Sequence, residues 1–230
     1  MNEENSKQNE KKPMDKKTLI IIGVALLLVV VIALVFIFKP NGGTTNNPEK
    51  QEITLVGTEL DGGKLLITAK NTKKSAYDIE FNVTFYDETN QQIKEYQESI
   101  LAIESNKEGY HTINISDVLG KKYKFSITKE TEIANDKILS DQVQVNQSVV
   151  GETTLDVDFQ NNSDKNIDNV QIAVLFYKDG KVIDYTSQYI SDVDAKGRRR
   201  ELVMIPTNEK GDVIRFDKHE VMIKAYNNAN

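Results

Sequence analysis

The chain has 230 residues, a formal net charge of −6, two histidines, and neither Cys nor Trp. Without Cys it has no disulfide staple, thiolate metal site, cysteine nucleophile or lipidated cysteine, so its stability must rest on packing. The acidic balance argues against nucleic acid as a partner, because that affinity comes from Lys and Arg neutralising phosphates.

Residues 1–17 hold five lysines against four acids, a balance of +1 that leaves −7 for everything downstream. A segment of this length is too short to fold alone and reads as a tail. Residues 18–38, TLIIIGVALLLVVVIALVFIF, carry no charge and show no polar face. As a helix rising 1.5 Å per residue the run spans about 30 Å of hydrocarbon, which predicts one transmembrane helix. A cleaved signal peptide competes with this reading, since Lys11, Lys12, Lys16 and Lys17 form a positive leader. The apolar run is longer than an ordinary signal core, however, and its exit, Phe36-Ile37-Phe38-Lys39-Pro40, lacks small residues for cleavage. The lysine excess before the run predicts a cytoplasmic N-terminus and an extracellular C-terminal region on a single-pass membrane protein. Frequent Asn, Lys and Ile without Cys fit a Gram-positive cell envelope.

Residues 39–51 read as a flexible linker, because the stretch 41–50 is rich in Gly and Asn and offers nothing apolar to bury. From residue 52 onward the apolar residues alternate. Ile79, Phe81, Val83 and Phe85 share one face, and Val170, Ile172, Val174 and Phe176 do the same, interrupted only by Leu175 on the opposite face. A period of two with Asn, Asp, Gly and Ser between the runs predicts an all-β, antiparallel sandwich.

The same pattern occurs twice, at an offset of about 90 residues. Ile53 and Leu55 match Val143 and Val145; Leu65, Ile67 and Ala69 match Leu155, Val157 and Phe159; Asn71 matches Asn161. Ile79 to Tyr86 then fall on Val170 to Tyr177 after one inserted residue in a turn, and a compensating deletion restores Ile93 to Ile183, Ile100 to Ile190 and Ile103 to Val193. Both changes lie in turns, where an insertion does not flip a strand. Two tandem β-sandwich modules are therefore expected, at 52–135 and 136–230, with Tyr123 to Ile127 and Val221 to Ala225 corresponding only loosely.

Val83-Thr84-Phe85-Tyr86-Asp87 and Val174-Leu175-Phe176-Tyr177-Lys178, each preceded by a polar turn and followed by an Ile-containing strand, resemble the signature of the FxLYD domain family. The likeness covers about half of each repeat; Val stands for the first Phe in both, and Lys178 for the motif's Asp in the second. The resemblance implies immunoglobulin-like sandwiches of bacterial and archaeal membrane-anchored or secreted proteins, and implies no catalytic residues. On packing grounds alone, Phe85 and Phe176 should close the core while Tyr86 and Tyr177 lie outward with hydroxyls able to bond a turn backbone.

Chemistry-bearing groups are sparse. His111 and His219 stand at non-equivalent positions, no Gly-x-Ser-x-Gly elbow occurs, and two histidines without Cys make a poor zinc set. Asp164-Lys165-Asn166-Ile167-Asp168 places oxygens at alternate positions, but an EF-hand loop would need Gly where Asn169 stands and Glu where Leu175 stands. Asp192 and Asp194 flank Val193 on one strand face. Arg198-Arg199-Arg200 is the one dense basic cluster past the apolar run, and an anionic wall polymer or lipid headgroup could dock on it, although solvated arginines at a strand start are the plainer account. No catalytic residue, metal or cofactor is expected. The sequence thus predicts a membrane-anchored, non-catalytic protein whose extracytoplasmic part binds a protein or cell-wall polymer. The alternative is an accessory or regulatory subunit of a membrane complex, recognised through its transmembrane helix.

Overall fold

The computed structural model describes residues 52–208 and 210–228. The expected tail, membrane span and linker all lie outside them; no helix among the described residues is long and apolar enough to cross a membrane. Residues 50–230 form one compact unit.

The unit is all-β. Strands β1 (Ile53–Leu60), β2 (Lys64–Asn71), β3 (Ala76–Tyr86), β4 (Gln92–Ile103), β5 (Glu108–Asn114) and β6 (Lys122–Ile133) are followed by two short 3₁₀ turns, then by β7 (Val143–Val150), β8 (Thr154–Asn161), β9 (Ile167–Lys178), β10 (Lys181–Val193), β11 (Arg198–Met204) and β12 (Lys218–Tyr226). They make four three-stranded antiparallel sheets, ordered β1-β2-β5, β4-β3-β6, β11-β8-β7 and β10-β9-β12. The arrangement repeats. β2 sits between β1 and β5 as β8 sits between β7 and β11, while β3 and β9 are the central strands of the remaining sheets.

Each pair of sheets encloses its own core because the alternating apolar residues of both face inward. In the first half Leu65, Ile67 and Ile113 from one sheet meet Ile79, Phe81, Val83, Phe85 and Ile100 from the other. In the second, Leu155, Val157 and Val203 meet Val170, Ile172, Val174, Phe176 and Val193. Phe85 and Phe176 are both fully buried, and at about 1.5 to 3 kcal/mol each such side chains supply much of the drive for closing the sheets. The loosely matched last strands take equivalent places: Phe125 lies opposite Val83 in β6, and Val221 opposite Val174 in β12.

A buried amide locks each half at the same point. Asn71 faces Ile53 at the end of the β1–β2 ladder, and Asn161 faces Val143 at the end of the β7–β8 ladder. The Asn71 side-chain NH₂ donates to the carbonyls of Ser75 and Ile103, both at 2.8 Å, and its oxygen accepts the Lys73 N–H at 2.8 Å. Asn161 donates to the carbonyls of Lys165 and Asp194 at 2.9 Å and accepts the Ser163 N–H at 2.9 Å. Each amide ties the turn before the central strand of one sheet to the end of its neighbour. Beside each lock the chain passes through a left-handed residue, Ala102 (φ 48°) and Asp192 (φ 56°), and then returns Ile103 and Val193 to the core; at Ala102 this coincides with a shift in the β3–β4 register.

Candidate functional site

The two halves meet along a seam. Alternation sends Leu66 of β2 and Tyr110 of β5 away from the first core, and Ala173 and Leu175 of β9 away from the second. These outward residues pack on one another, with Leu60, Tyr185 and Met222, as a third apolar cluster. Leu175, the residue that breaks the alternation of β9, is therefore the centre of a contact between sheets. Polar groups close the seam at its edge. Lys64 Nζ lies 2.9 and 2.8 Å from the two oxygens of Asp184, which also accepts the Tyr185 N–H at 2.8 Å. The Tyr185 hydroxyl donates to the Tyr110 carbonyl at 3.1 Å, and burial pushes its pKa up to about 12. Tyr110 is likewise raised by burial, then by the carboxylate of Glu108, which accepts its hydroxyl proton at 2.6 Å.

Next to the ion pair an open groove of about 920 Å³ runs between the halves, lined on one side by Asp61 and Gly62 and on the other by Lys178, Val213 and Arg215. Nothing in the sequence pattern pointed to it, since its walls come from strand ends and loops of both halves.

The arginine triplet is divided by the strand that carries it. Arg198 and Arg200 project from the outer face of β11-β8-β7 beside carboxylates from β8: Arg198 Nε is 2.8 Å from Asp158, and Arg200 Nε is 2.8 Å from Asp156. Arg199 points the other way and donates to the Asp192 carbonyl at 3.1 Å. Arg198, then the Asn146 amide, hold the Asp158 carboxyl down to about 2, and Arg200 lowers that of Asp156. Leu202 and Met204 continue the same outer face and are exposed. An anion approaching Arg198 and Arg200 would thus share them with two carboxylates next to an apolar strip.

The motif residues are placed for packing. Phe85 stacks edge-on against Tyr96 at 5.9 Å, and Phe176 against Phe216 at 4.9 Å. Tyr86 and Tyr177 lie outward beneath Lys124 and Lys218, with Nζ 5.4 and 5.0 Å from the ring centroids. The Tyr177 hydroxyl donates to the Glu220 carboxylate at 3.1 Å rather than to a turn backbone, because β12 brings that side chain nearer. Asp87 organises its own turn, accepting the Thr89 and Gln91 N–H groups at 2.8 and 2.9 Å; the Thr89 hydroxyl, then the Gln91 N–H, lower its carboxyl.

The remaining candidates do not converge. His111 pairs with Glu98 at 2.8 Å on the first half. His219 shares a 2.8 Å hydrogen bond with Ser148 and meets the Phe216 ring, and its pKa is lowered by burial. Asp164 is turned to Lys196, 2.9 Å away, while Asp168 accepts the Asn228 N–H at 2.9 Å. Among the described residues no three His, Cys, Asp or Glu side chains gather as a metal set.

No family model matches the chain, and no curated protein matches it either. Among solved structures, red sea bream transglutaminase aligns at 8% identity and a TM-score of 0.24, over 75% of this chain and 28% of that one. The chain thus spans less than a third of that structure's length, and the likeness is too slight to bear on function.

Proposed function

We propose that the chain is a membrane-anchored, extracytoplasmic and non-catalytic binding protein of a cell envelope, built from two tandem immunoglobulin-like modules, 52–135 and 136–230, of FxLYD type. The observation that carries this reading is a compact β unit with two equivalent cores, in a chain headed by an uncharged 21-residue apolar run and a Gly- and Asn-rich tether. Such an arrangement projects binding surface from a bilayer and suits a protein or anionic wall polymer as partner. The run 18–38 serves as the anchor, with residues 1–17 in the cytoplasm.

Two measurements on the full chain in intact cells test the proposal. Added protease should digest the 50–230 unit and spare a tag placed at residue 1; protection of the unit overturns the topology. Envelope cross-linking should recover the same partner after 18–38 is exchanged for an unrelated span. Loss of that partner on exchange would favour instead an accessory subunit recognised through its membrane helix.

A further inference from the structure

At the end of the seam away from the Lys64–Asp184 pair, a cleft of about 360 Å³ opens between β5 and the β9–β12 ladder. Its floor holds two adjacent polar side chains, since Gln171 and Lys224 face each other across that ladder. Both are buried, with 5% and 8% of their surface exposed. Among the described residues the Gln171 amide makes no side-chain hydrogen bond, and the Lys224 ammonium makes a single long one, 3.3 Å to the Leu101 carbonyl. The nearby Glu104 carboxylate is turned to Lys107, 2.6 Å away. Glu104 and Asp78 act on the ammonium only from beyond contact, and burying an ammonium with no carboxylate against it costs several kcal/mol.

The niche is shaped for that amine. A Cβ on Gly109 would come 2.7 Å from Ile100 Cγ2 and 3.0 Å from Lys224 Nζ, so the missing side chain leaves room beside β5 that the lysine uses. Gly109 lies opposite Ala69, and the matching position of the second half, opposite Phe159, is Arg199. Burial pushes the Lys224 amine down to about 8, against the pull of Glu104 and Asp78. The amine therefore still carries its charge at neutral pH. Met222, Ala173 and Tyr185 give the cleft apolar surface beside these donors, while Lys70, Glu104, Lys107 and Glu108 add charge of both signs to its lining.

We propose that this cleft binds a small organic carboxylate, of amino-acid to dipeptide size, whose carboxylate accepts from Lys224 Nζ and the Gln171 amide while its apolar body lies along Met222 and Tyr185. The volume suits that size, at the lower end of small-molecule sites. A carboxylate there places a counter-charge in contact with the ammonium and accepts from the amide in place of solvent. The site deepens the reading of the chain as a binding protein, yet it stands whether or not residues 18–38 hold a membrane.

The test uses the full-length chain in detergent with ¹³C-methyl methionine; Met222 lines the cleft, and Met204 on the outer face of β11 serves as internal control. Acetate, butyrate and N-acetyl-leucine are titrated, with N-acetyl-leucinamide as the same body without charge. The Met222 methyl signal should shift saturably with N-acetyl-leucine while Met204 stays in place, and the amide should bind at least about tenfold more weakly. Lys224→Met and Gln171→Leu should each weaken binding by about tenfold or more while still unfolding cooperatively, and Gln171→Leu keeps the test open if the lysine variant does not fold. The proposal is overturned if no carboxylate moves Met222 at tens of millimolar, if the amide binds equally well, or if the folded variants bind as the parent does.

Discussion

Lys64 Nζ and Asp184 Oδ2 lie 2.8 Å apart across the seam, and the two ends of this pair are unequally wetted: the lysine side chain is 31% exposed, the aspartate 4%. The asymmetry sets what each partner's removal does. Asp184→Ala leaves a lysine that can swing into water and should cost about 1 to 2 kcal/mol, whereas Lys64→Met strands a buried carboxylate and should cost about 2 to 4 kcal/mol. Urea unfolding of both variants checks the order, and equal midpoints would contradict it.

Leu66 and Leu175 belong to neither core but to the seam cluster. Truncating Leu175 to Ala should cost about 2 to 4 kcal/mol, as for a core leucine. Leu66→Asp should go further and separate the halves into two unfolding transitions, visible by calorimetry, because a carboxylate cannot be buried there unpaired. A single unshifted transition would show that the contact contributes little.

The buried locks should respond more sharply to charge than to deletion. Asn71→Ala and Asn161→Ala each remove three or more hydrogen bonds and should lose about 2 to 4 kcal/mol. Asn71→Asp aims a carboxylate at the Ser75 and Ile103 carbonyls, so it should be worse than Ala at pH 7 and recover part of the difference at pH 4, as the acid regains a donor. Thermal melts at the two pH values decide this.

Lys224 predicts a rise of stability on the alkaline side. Its folded pKa, about 8, lies below the unfolded value, so between roughly pH 8 and 10 the unfolded chain binds more protons and stability increases with pH. The gain from pH 8 to 9.5 should be about 1 to 2 kcal/mol. Above pH 10 the buried tyrosines, Tyr185 and Tyr226 among them, reverse the slope, because their raised folded values of about 12 keep protons that the unfolded chain has lost. In Lys224→Met the rise below pH 10 should vanish and the fall above it remain.

Asp158 contributes on the acid side, with Asp87, Asp117 and Asp156, whose carboxyls are lowered too. Its folded pKa of about 2 lies below the unfolded value, so its contribution is complete above about pH 4 and is lost as pH falls through 2. Asp158→Asn should therefore lose less stability than the parent between pH 5 and 2; a parallel loss would place the acid sensitivity elsewhere.

The alternation of Ile79, Phe81, Val83 and Phe85, and its echo in Val170 to Phe176, contained the two cores, since a strand with one buried face writes that face into every second residue. The matching of Asn71 with Asn161 was visible too, although not its reason, which lies in carbonyls some thirty residues further along the chain. The seam was far less legible. Leu66 and Leu175 each look like a single lapse in a pattern, and only the packing of two sheets shows that the lapses answer one another. The arginine triplet read as one patch because sequence lists neighbours in a row, whereas a strand deals them to opposite faces and sets carboxylates of β8 beside two of them. The cleft at Lys224 was hidden for a related reason, its walls being drawn from β2, β5, β9, β10, β12 and the turn between β4 and β5.

The two halves are joined through apolar side chains as well as by the chain that links β6 to β7, and so form one unit. In the proposed binding role, a partner touching both halves meets surfaces already docked on one another, which lowers the ordering cost of engaging both.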